Sequence, residues 1–187
     1  MGYRRGFKTE ANWYAREMRG ELGLRAHEPL SPWRLAEHLE FPLIKLSEFE
    51  PAIAKEIAYL QSARGQKDFS ALTLFRGQHR AVIYNDAHEK KRQAADISHE
   101  LAHGLLLHPP KPPFDENGSR HYDAEREAEA NWLGPALLIS DEAAMWIGRH
   151  GMSLADGSNL YGVSVDLVRM RLNVCGVTVR LRGAHAA

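Results

Sequence analysis

Five consecutive residues, His99-Glu100-Leu101-Ala102-His103, combine the side chains that a metal-dependent hydrolase needs. In a helix, the two histidines lie on one face, about one turn and roughly 6 Å of rise apart. Both imidazoles can then reach one Zn²⁺ at nitrogen–metal distances of about 2.0–2.1 Å. Glu100 can stand beside the metal as a general base for a water molecule that the metal activates. The sequence therefore predicts His99 and His103 as metal ligands and Glu100 as the catalytic residue.

The residues around this motif predict a helix. Asn85-Asp86 followed by Glu89 is typical of an N-terminal cap, and Pro109-Pro110 would end the helix after His108. Apolar residues form a broad face between these limits: Ala94, Ala95, Ile97, Leu101, Ala102, Leu105 and Leu106. The alternative is a chance motif, with two half-buried histidines and a solvated glutamate on an ordinary helix.

A zinc site on two histidines needs a third protein ligand, which leaves the fourth position to water. A second helix is predicted from about His121 to Ile139, and its first half is acidic. The acidic residues are Asp123, Glu125, Glu127 and Glu129. We expect Glu127 to be the ligand, with Glu129 and then Glu125 as alternatives. Asn131, one turn after Glu127, is predicted to hold a ligating histidine from the second shell.

The remaining pattern predicts an α+β fold that is mostly helical, with the motif helix beside a small antiparallel sheet. A hairpin is expected from the apolar runs 69–75 and 80–84, and residues 109–118 should form a proline-rich loop. Further helices are predicted over 8–24, 31–40, 51–60, 141–149, 153–161 and 164–172, and strands over 42–46 and 177–182. The last two helices, with a turn at Gly162, resemble a helix-turn-helix. Residues 1–140 should form a zinc-peptidase core, and 141–187 a helical segment packed on it.

Composition sets the broad class of the protein. The 187 residues are 44% hydrophobic and 26% charged, with equal numbers of acidic and basic side chains. These values are typical of a soluble globular protein and indicate no general attraction to nucleic acid or membranes. The single cysteine, Cys175, excludes an intramolecular disulfide and is expected to be a buried apolar residue. The N-terminus does not resemble a signal peptide, so we expect a cytoplasmic protein.

Two segments together resemble the ImmA/IrrE family of zinc-dependent metallopeptidases. They are His99-Glu-Leu-Ala-His103-Gly-Leu-Leu-Leu-His108 and Glu127-Ala-Glu-Ala-Asn131-Trp-Leu-Gly-Pro-Ala-Leu-Leu-Ile139. The resemblance implies gluzincin-like chemistry with Zn²⁺, or alternatively Mn²⁺, on His99, His103 and Glu127, and Glu100 as the catalytic base. It also implies a protein substrate, a helix-turn-helix transcriptional repressor whose cleavage relieves repression after stress. The chain departs from the family at Pro135, which predicts a kink or an early end of the second helix near residues 131–133.

Two other functions fit the same residues. The chain could be a non-catalytic regulator whose metal site is structural or vestigial, with His108 or His121 as a fourth ligand and the C-terminal helices binding DNA or a repressor. It could also be a component of a toxin–antitoxin pair. Direct DNA binding is not expected, since Arg169 and Arg171 have aspartates nearby. The side chains that could stabilise an oxyanion in a hydrolase are His121, Tyr122, Tyr84 and His79.

Overall fold

The computed structural model describes residues 3–77, 79–109 and 123–177, apart from the side chain of Arg76. Eight α-helices and three strands occur in these ranges. They are α1 Phe7–Glu21, α2 Pro32–His38, β1 Leu43–Lys45, α3 Glu50–Gln61, β2 Ala71–Arg76, β3 His79–Tyr84, α4 Lys90–Leu105, α5 Ala124–Leu138, α6 Asp141–Arg149, α7 Leu154–Tyr161 and α8 Val165–Val174. The protein is therefore mostly helical with one small sheet, as the α+β prediction requires. No helix in the described ranges is both long and apolar enough to cross a membrane.

Parts of three predictions lie outside the described residues. The proline-rich loop is described only at Pro109, the first two residues predicted for the second catalytic helix precede the described range, and the predicted last strand is described only at Val177.

The sheet has the order β1-β3-β2 and is mixed. Strands β2 and β3 form the predicted antiparallel hairpin, with Thr73 opposite Val82. Strand β1 pairs with β3 in parallel, with Leu43 opposite Val82. The prediction of a purely antiparallel sheet was wrong here, because the connection from β1 through α3 and β2 is long enough to bring β3 back in the same direction.

Alternation along the strands gives the sheet two different faces. Tyr84 is buried in a core with residues of α1, α2, α4 and α5, and Ala71 packs against that core. Ile83 belongs to a second cluster with Ile57 of α3. Because side chains alternate along a strand, Thr73 lies on the same face as Ala71, toward α4. The sheet thus presents one face of β2 to the motif helix.

Helix α4 begins later and ends earlier than predicted. It starts at Lys90 with Glu89 as N-cap, whereas Asn85 and Asp86 stabilise the preceding turn and loop. The Asn85 side chain accepts from the backbone N–H of Ala87 at 3.1 Å, and Asp86 accepts from Ser47 at 2.6 Å. These two side chains therefore stabilise the turn after β3 and do not cap the helix.

Helix α5 continues through Pro135 to Leu138, so the predicted break near residues 131–133 was wrong. The proline removes one N–H donor, but the last turn that follows it is fully buried at Ala136, Leu137 and Leu138. Burial of this apolar turn compensates for the missing hydrogen bond. At the other end, Asp123 caps the helix by accepting from the N–H groups of Glu125 and Arg126, both at 3.3 Å.

Two buried arginines join the C-terminal helices to the rest of the molecule. Arg19 of α1 donates to the carbonyl oxygen of Leu138 at 3.1 Å, and Arg171 of α8 donates to that of Ile139 at 2.8 Å. The guanidinium groups satisfy carbonyls at the C-terminal end of α5, where a positive charge also interacts favourably with the helix dipole. Helix α5 is thereby fixed between the N-terminal and C-terminal parts of the chain.

Candidate metal site

Helices α4 and α5 approach each other closely beside His99. A Cβ atom at Gly134 of α5 would lie 3.2 Å from both the Cα and the backbone nitrogen of His99. Only a glycine fits at this distance without moving one helix away from the other. The close approach lets a carboxylate on α5 reach the histidines on α4.

Three side chains converge between the two helices. The Nε2 atoms of His99 and His103 are 3.1 Å apart, and the Glu127 carboxylate lies 3.3 Å from the first and 3.5 Å from the second. All three residues are partly exposed, with 18–30% of each side chain accessible. The structure therefore brings together the three residues that we predicted as ligands.

The spacing of these atoms fits a tetrahedral metal ion. Ligands at about 2.0–2.1 Å from a tetrahedral zinc are about 3.3 Å from one another. Nε2 of His99 faces Glu127 Oε2 and Nε2 of His103 faces Glu127 Oε1, and the three separations, 3.1, 3.3 and 3.5 Å, are all close to that value. Two imidazoles and a carboxylate are also a donor set that zinc accepts in catalytic sites. His99, His103 and Glu127 could thus hold a metal ion.

The ionisation of the cluster suits metal binding. Hydrogen bonds from His103 and His99 hold the pKa of Glu127 well below its usual range. Burial alone lowers the pKa of His99, but the hydrogen bond to Glu127 and the charge of Glu100 raise it overall. Glu127 is therefore a carboxylate at neutral pH, the form that binds metals.

Glu100 lies next to this cluster and is held by the sheet. The hydroxyl of Thr73 on β2 donates a hydrogen bond to Glu100 Oε2 at 2.5 Å. This bond fixes the carboxylate and leaves its other oxygen available. The sequence analysis missed Thr73, although its position as the polar residue between Leu72 and Leu74 of a predicted strand was the available signal.

A second missed feature is the environment of His103. Its Nδ1 atom lies 2.8 Å from Nδ1 of His108, and Nε2 of His108 lies 3.2 Å from the Glu129 carboxylate. Burial lowers the pKa of His108, with the hydrogen bond to Glu129 acting in the opposite direction. His108 therefore contacts the candidate ligand on the side away from the cluster, and Glu129 contacts His108 in turn.

Asn131 does not occupy the position that we predicted. Its side chain is exposed, and no hydrogen bond joins it to His99 or His103 within the described part of the chain. The spacing argument placed it on the same helix face as Glu127, but the second nitrogen of His103 turns toward His108 at the end of α4. The alternative ligand Glu129 is also occupied elsewhere, by His108 and Arg4.

A comparison with family models identifies this arrangement. The model of the IrrE N-terminal-like domain, Peptidase_M78, matches residues 56–173. The chain belongs to this family. The matched range contains both helices of the candidate metal site, so the expected ImmA/IrrE resemblance is confirmed. Searches of curated proteins and of solved structures gave no significant match.

Two of the four residues that we predicted as possible oxyanion-stabilising groups, Tyr84 and His79, lie in the described part of the chain. Tyr84 is 5% exposed and belongs to the core, so its ring does not line an open cleft. His79 is exposed at the start of β3. His121 and Tyr122 lie outside the described residues.

Proposed function

We propose that the chain is a zinc-dependent endopeptidase in which His99, His103 and Glu127 bind the metal and Glu100 is the catalytic base. Mn²⁺ is the alternative metal. The observation that carries this proposal is the convergence of two imidazole nitrogens and a carboxylate, with neighbouring atoms 3.1–3.5 Å apart, next to a second carboxylate that Thr73 holds in place. Membership of a peptidase family supports the same reading.

The bound metal would polarise the scissile carbonyl and acidify a water molecule. Glu100 would take the proton from that water as the new carbon–oxygen bond forms, and would then deliver it to the leaving nitrogen. Thr73 contributes by holding one carboxylate oxygen, so that the other oxygen remains directed to the proton in transfer. His99, His103 and Glu127 are the three protein residues that would hold the metal, the number of protein ligands that is usual in catalytic zinc sites.

We propose a helix-turn-helix transcriptional repressor as the substrate, on the basis of the ImmA/IrrE resemblance. A repressor substrate implies that cleavage occurs in the cytoplasm. Strand β2 supports the binding of an extended polypeptide, because it is an edge strand of the sheet and carries Thr73 beside Glu100. A substrate segment could add to this edge as a further strand.

The alternative of a structural metal site receives less support. A closed site would need a fourth protein ligand, and His108 was one candidate. His108 is in contact with the Nδ1 atom of His103, the nitrogen on the far side of the ring from Glu127. Its other ring nitrogen contacts Glu129. The other candidate, His121, lies outside the described residues.

The test is a Glu100→Gln variant with Glu125→Gln as a matched control. Glu125 is exposed on α5 and loses the same charge. We expect Glu100→Gln to retain zinc, measured by elemental analysis, but to cleave a purified helix-turn-helix repressor about 100-fold or more slowly than the wild type. The control should cleave at the wild-type rate. Unchanged cleavage by Glu100→Gln would reject the proposed mechanism, and a wild-type protein without bound metal would reject the metal site itself.

A further inference from the structure

A continuous series of polar contacts leads from His103 to the N-terminal segment of the chain. His103 contacts His108 at 2.8 Å, His108 contacts Glu129 at 3.2 Å, and Nε of Arg4 donates to Glu129 at 2.7 Å. Arg4 is held in turn by Glu10 of α1 through a 2.9 Å hydrogen bond. None of these four outer residues belongs to the proposed set of metal ligands, His99, His103 and Glu127.

Metal binding would fix the direction of every hydrogen bond in this series. If His103 binds a metal through Nε2, its proton must be on Nδ1, and it donates to Nδ1 of His108. His108 then carries its own proton on Nε2 and donates to Glu129. Glu129 has no proton to give and accepts from both His108 and Arg4. Only one tautomer of each histidine satisfies all the contacts.

The end of α4 is built to place His108 beside His103. The backbone N–H of His108 donates to the carbonyl of His103 and that of Leu107 donates to Gly104, both at 3.0 Å. These two bonds form a Schellman motif, with Leu107 in the left-handed conformation at φ 53°. The motif turns the chain back on the helix, and this explains the five-residue separation of the two histidines.

Burial makes the series sensitive to the loss of any member. Only 10% of the His108 side chain and 6% of the Glu129 side chain are exposed, whereas Arg4 is 46% exposed. A buried carboxylate without partners is costly, so the contacts with Arg4 and His108 together compensate for the burial of Glu129 in this position. Arg4 lies outside residues 56–173, the range that matches the family model.

We propose that His108, Glu129 and Arg4 are positioning residues that orient His103 for metal binding. They form a relay through which the N-terminal segment supports the metal affinity of the site. This inference rests on the proposed metal site. Orienting hydrogen bonds to ligating histidines typically contribute about 10–100-fold in metal affinity.

The experiment measures zinc affinity by competition with a chromophoric chelator in four relay variants and two control variants of the full chain. His108→Phe removes both relay contacts and keeps an aromatic ring, Glu129→Gln removes the charge, and Arg4→Met removes the outer donor. Glu125→Gln and Arg5→Met are matched controls, because both residues are exposed and each is close in sequence to a relay residue. The fourth relay variant combines Arg4→Met with His108→Phe.

We expect the zinc dissociation constant to rise about 10–100-fold for His108→Phe, about tenfold for Glu129→Gln and a few-fold for Arg4→Met. The controls should stay within twofold of the wild type. Because Arg4 acts through His108, adding Arg4→Met to His108→Phe should cause no further loss. Visible absorption of the Co²⁺-loaded proteins should show an altered ligand field in the relay variants alone.

The outcomes separate this inference from the proposed function. The wild-type protein could bind zinc while the relay variants have dissociation constants within twofold of the wild-type value. This result would overturn the relay and leave the metal site intact. The relay would also be overturned if the fold-change in the zinc dissociation constant of the double variant equalled the product of the fold-changes of Arg4→Met and His108→Phe. A wild-type protein that binds no zinc would reject both proposals. Should His108→Phe fail to fold, the surface variant Arg4→Met still decides the question, because Arg4 is largely solvated.

Discussion

Helix pairs α4–α5 and α7–α8 differ in the side chains that lie between the two helices. Between α4 and α5 lie ionisable groups, among them His103, Glu127 and Glu129. The α7–α8 pair instead packs apolar groups such as Tyr161 and Val168 in its core. Burying ionisable groups costs free energy unless they are paired. The ionisable cluster therefore marks α4–α5 as the pair with a candidate chemical function, whereas α7–α8 contributes to the core.

The arginines of the C-terminal pair have structural partners. Arg171 is 1% exposed and binds the carbonyl of Ile139 and the carboxylate of Asp141. Arg169 forms an ion pair with Asp166. Of the two arginines that could contact phosphates, one is thus buried and the other is neutralised.

The largest expected contrast between the two pairs is in metal binding. Glu127→Gln should lower zinc affinity by more than about 100-fold, since it removes a proposed ligand rather than a residue that orients one. Asp166→Asn on α8 removes the same charge from an exposed site and should leave zinc affinity unchanged. Isothermal titration with zinc measures both. Equal affinities for Glu127→Gln and the wild type would remove the distinction that we draw between the helix pairs.

For stability we expect the opposite contrast, in which a substitution in the α7–α8 pair has a large effect on the free energy of unfolding and little effect on zinc affinity. Arg171→Met is expected to lower the free energy of unfolding by about 3 kcal/mol, because it leaves the buried Ile139 carbonyl without its side-chain donor and removes the ion pair with Asp141. Its zinc affinity should stay within twofold, since Glu127 lies at the opposite end of α5. Urea denaturation of the metal-free protein provides the measurement.

Arg169→Met is the control for this prediction. The ion pair of Arg169 is exposed, so its removal should change the free energy of unfolding by less than about 0.5 kcal/mol. A similar loss for both arginines would show that burial does not determine their contributions.

A third prediction compares two helical glycines. A Cβ at Gly134 would meet the backbone of His99 at 3.2 Å, whereas a Cβ at Gly157 of α7 would meet a methyl group of Val168 at the same distance. Alanine gains about 1 kcal/mol over glycine in a helix. A side-chain methyl can shift, but a helix backbone can move only with the whole helix.

We therefore expect Gly157→Ala to raise the free energy of unfolding slightly. Gly134→Ala should lower it by about 1–2 kcal/mol and weaken zinc binding about tenfold, because it pushes Glu127 away from the histidines. Thermal unfolding and zinc titration of both variants measure these effects. Two variants of equal stability would indicate that α5 can move away from α4 without loss.

Local patterns in the sequence were sufficient to predict much of this contrast. The spacing of His99 and His103 and the acidic start of α5 predicted the residues that converge, and the local pattern of residues 141–172 predicted α6, α7 and α8 with a turn at Gly162. These features depend on neighbours a few residues apart, which a single sequence displays directly.

Contacts between residues distant in sequence could not be predicted in the same way. Arg4 and Glu129 are 125 positions apart, and nothing in either local pattern indicates the other. The parallel pairing of β1 and the continuation of α5 past Pro135 also depend on what packs around these segments. Asn131 was misassigned for this reason: helix periodicity gives the face of a residue but not the neighbour that faces it.

The smallest expected effect concerns the turns that end a helix in each pair. Helix α7 ends at Gly162 with φ 64°, and the turn after α4 has Leu107 at φ 53°. A left-handed conformation costs a residue with a Cβ about 1 kcal/mol, and Leu107 is 76% exposed, so its side chain recovers little by burial. Leu107→Gly should therefore raise the free energy of unfolding by up to about 1 kcal/mol, and Gly162→Ala should lower it by a similar amount. Chemical denaturation measures both, and a less stable Leu107→Gly protein would mean that the leucine side chain, not the backbone, maintains the turn that carries His108.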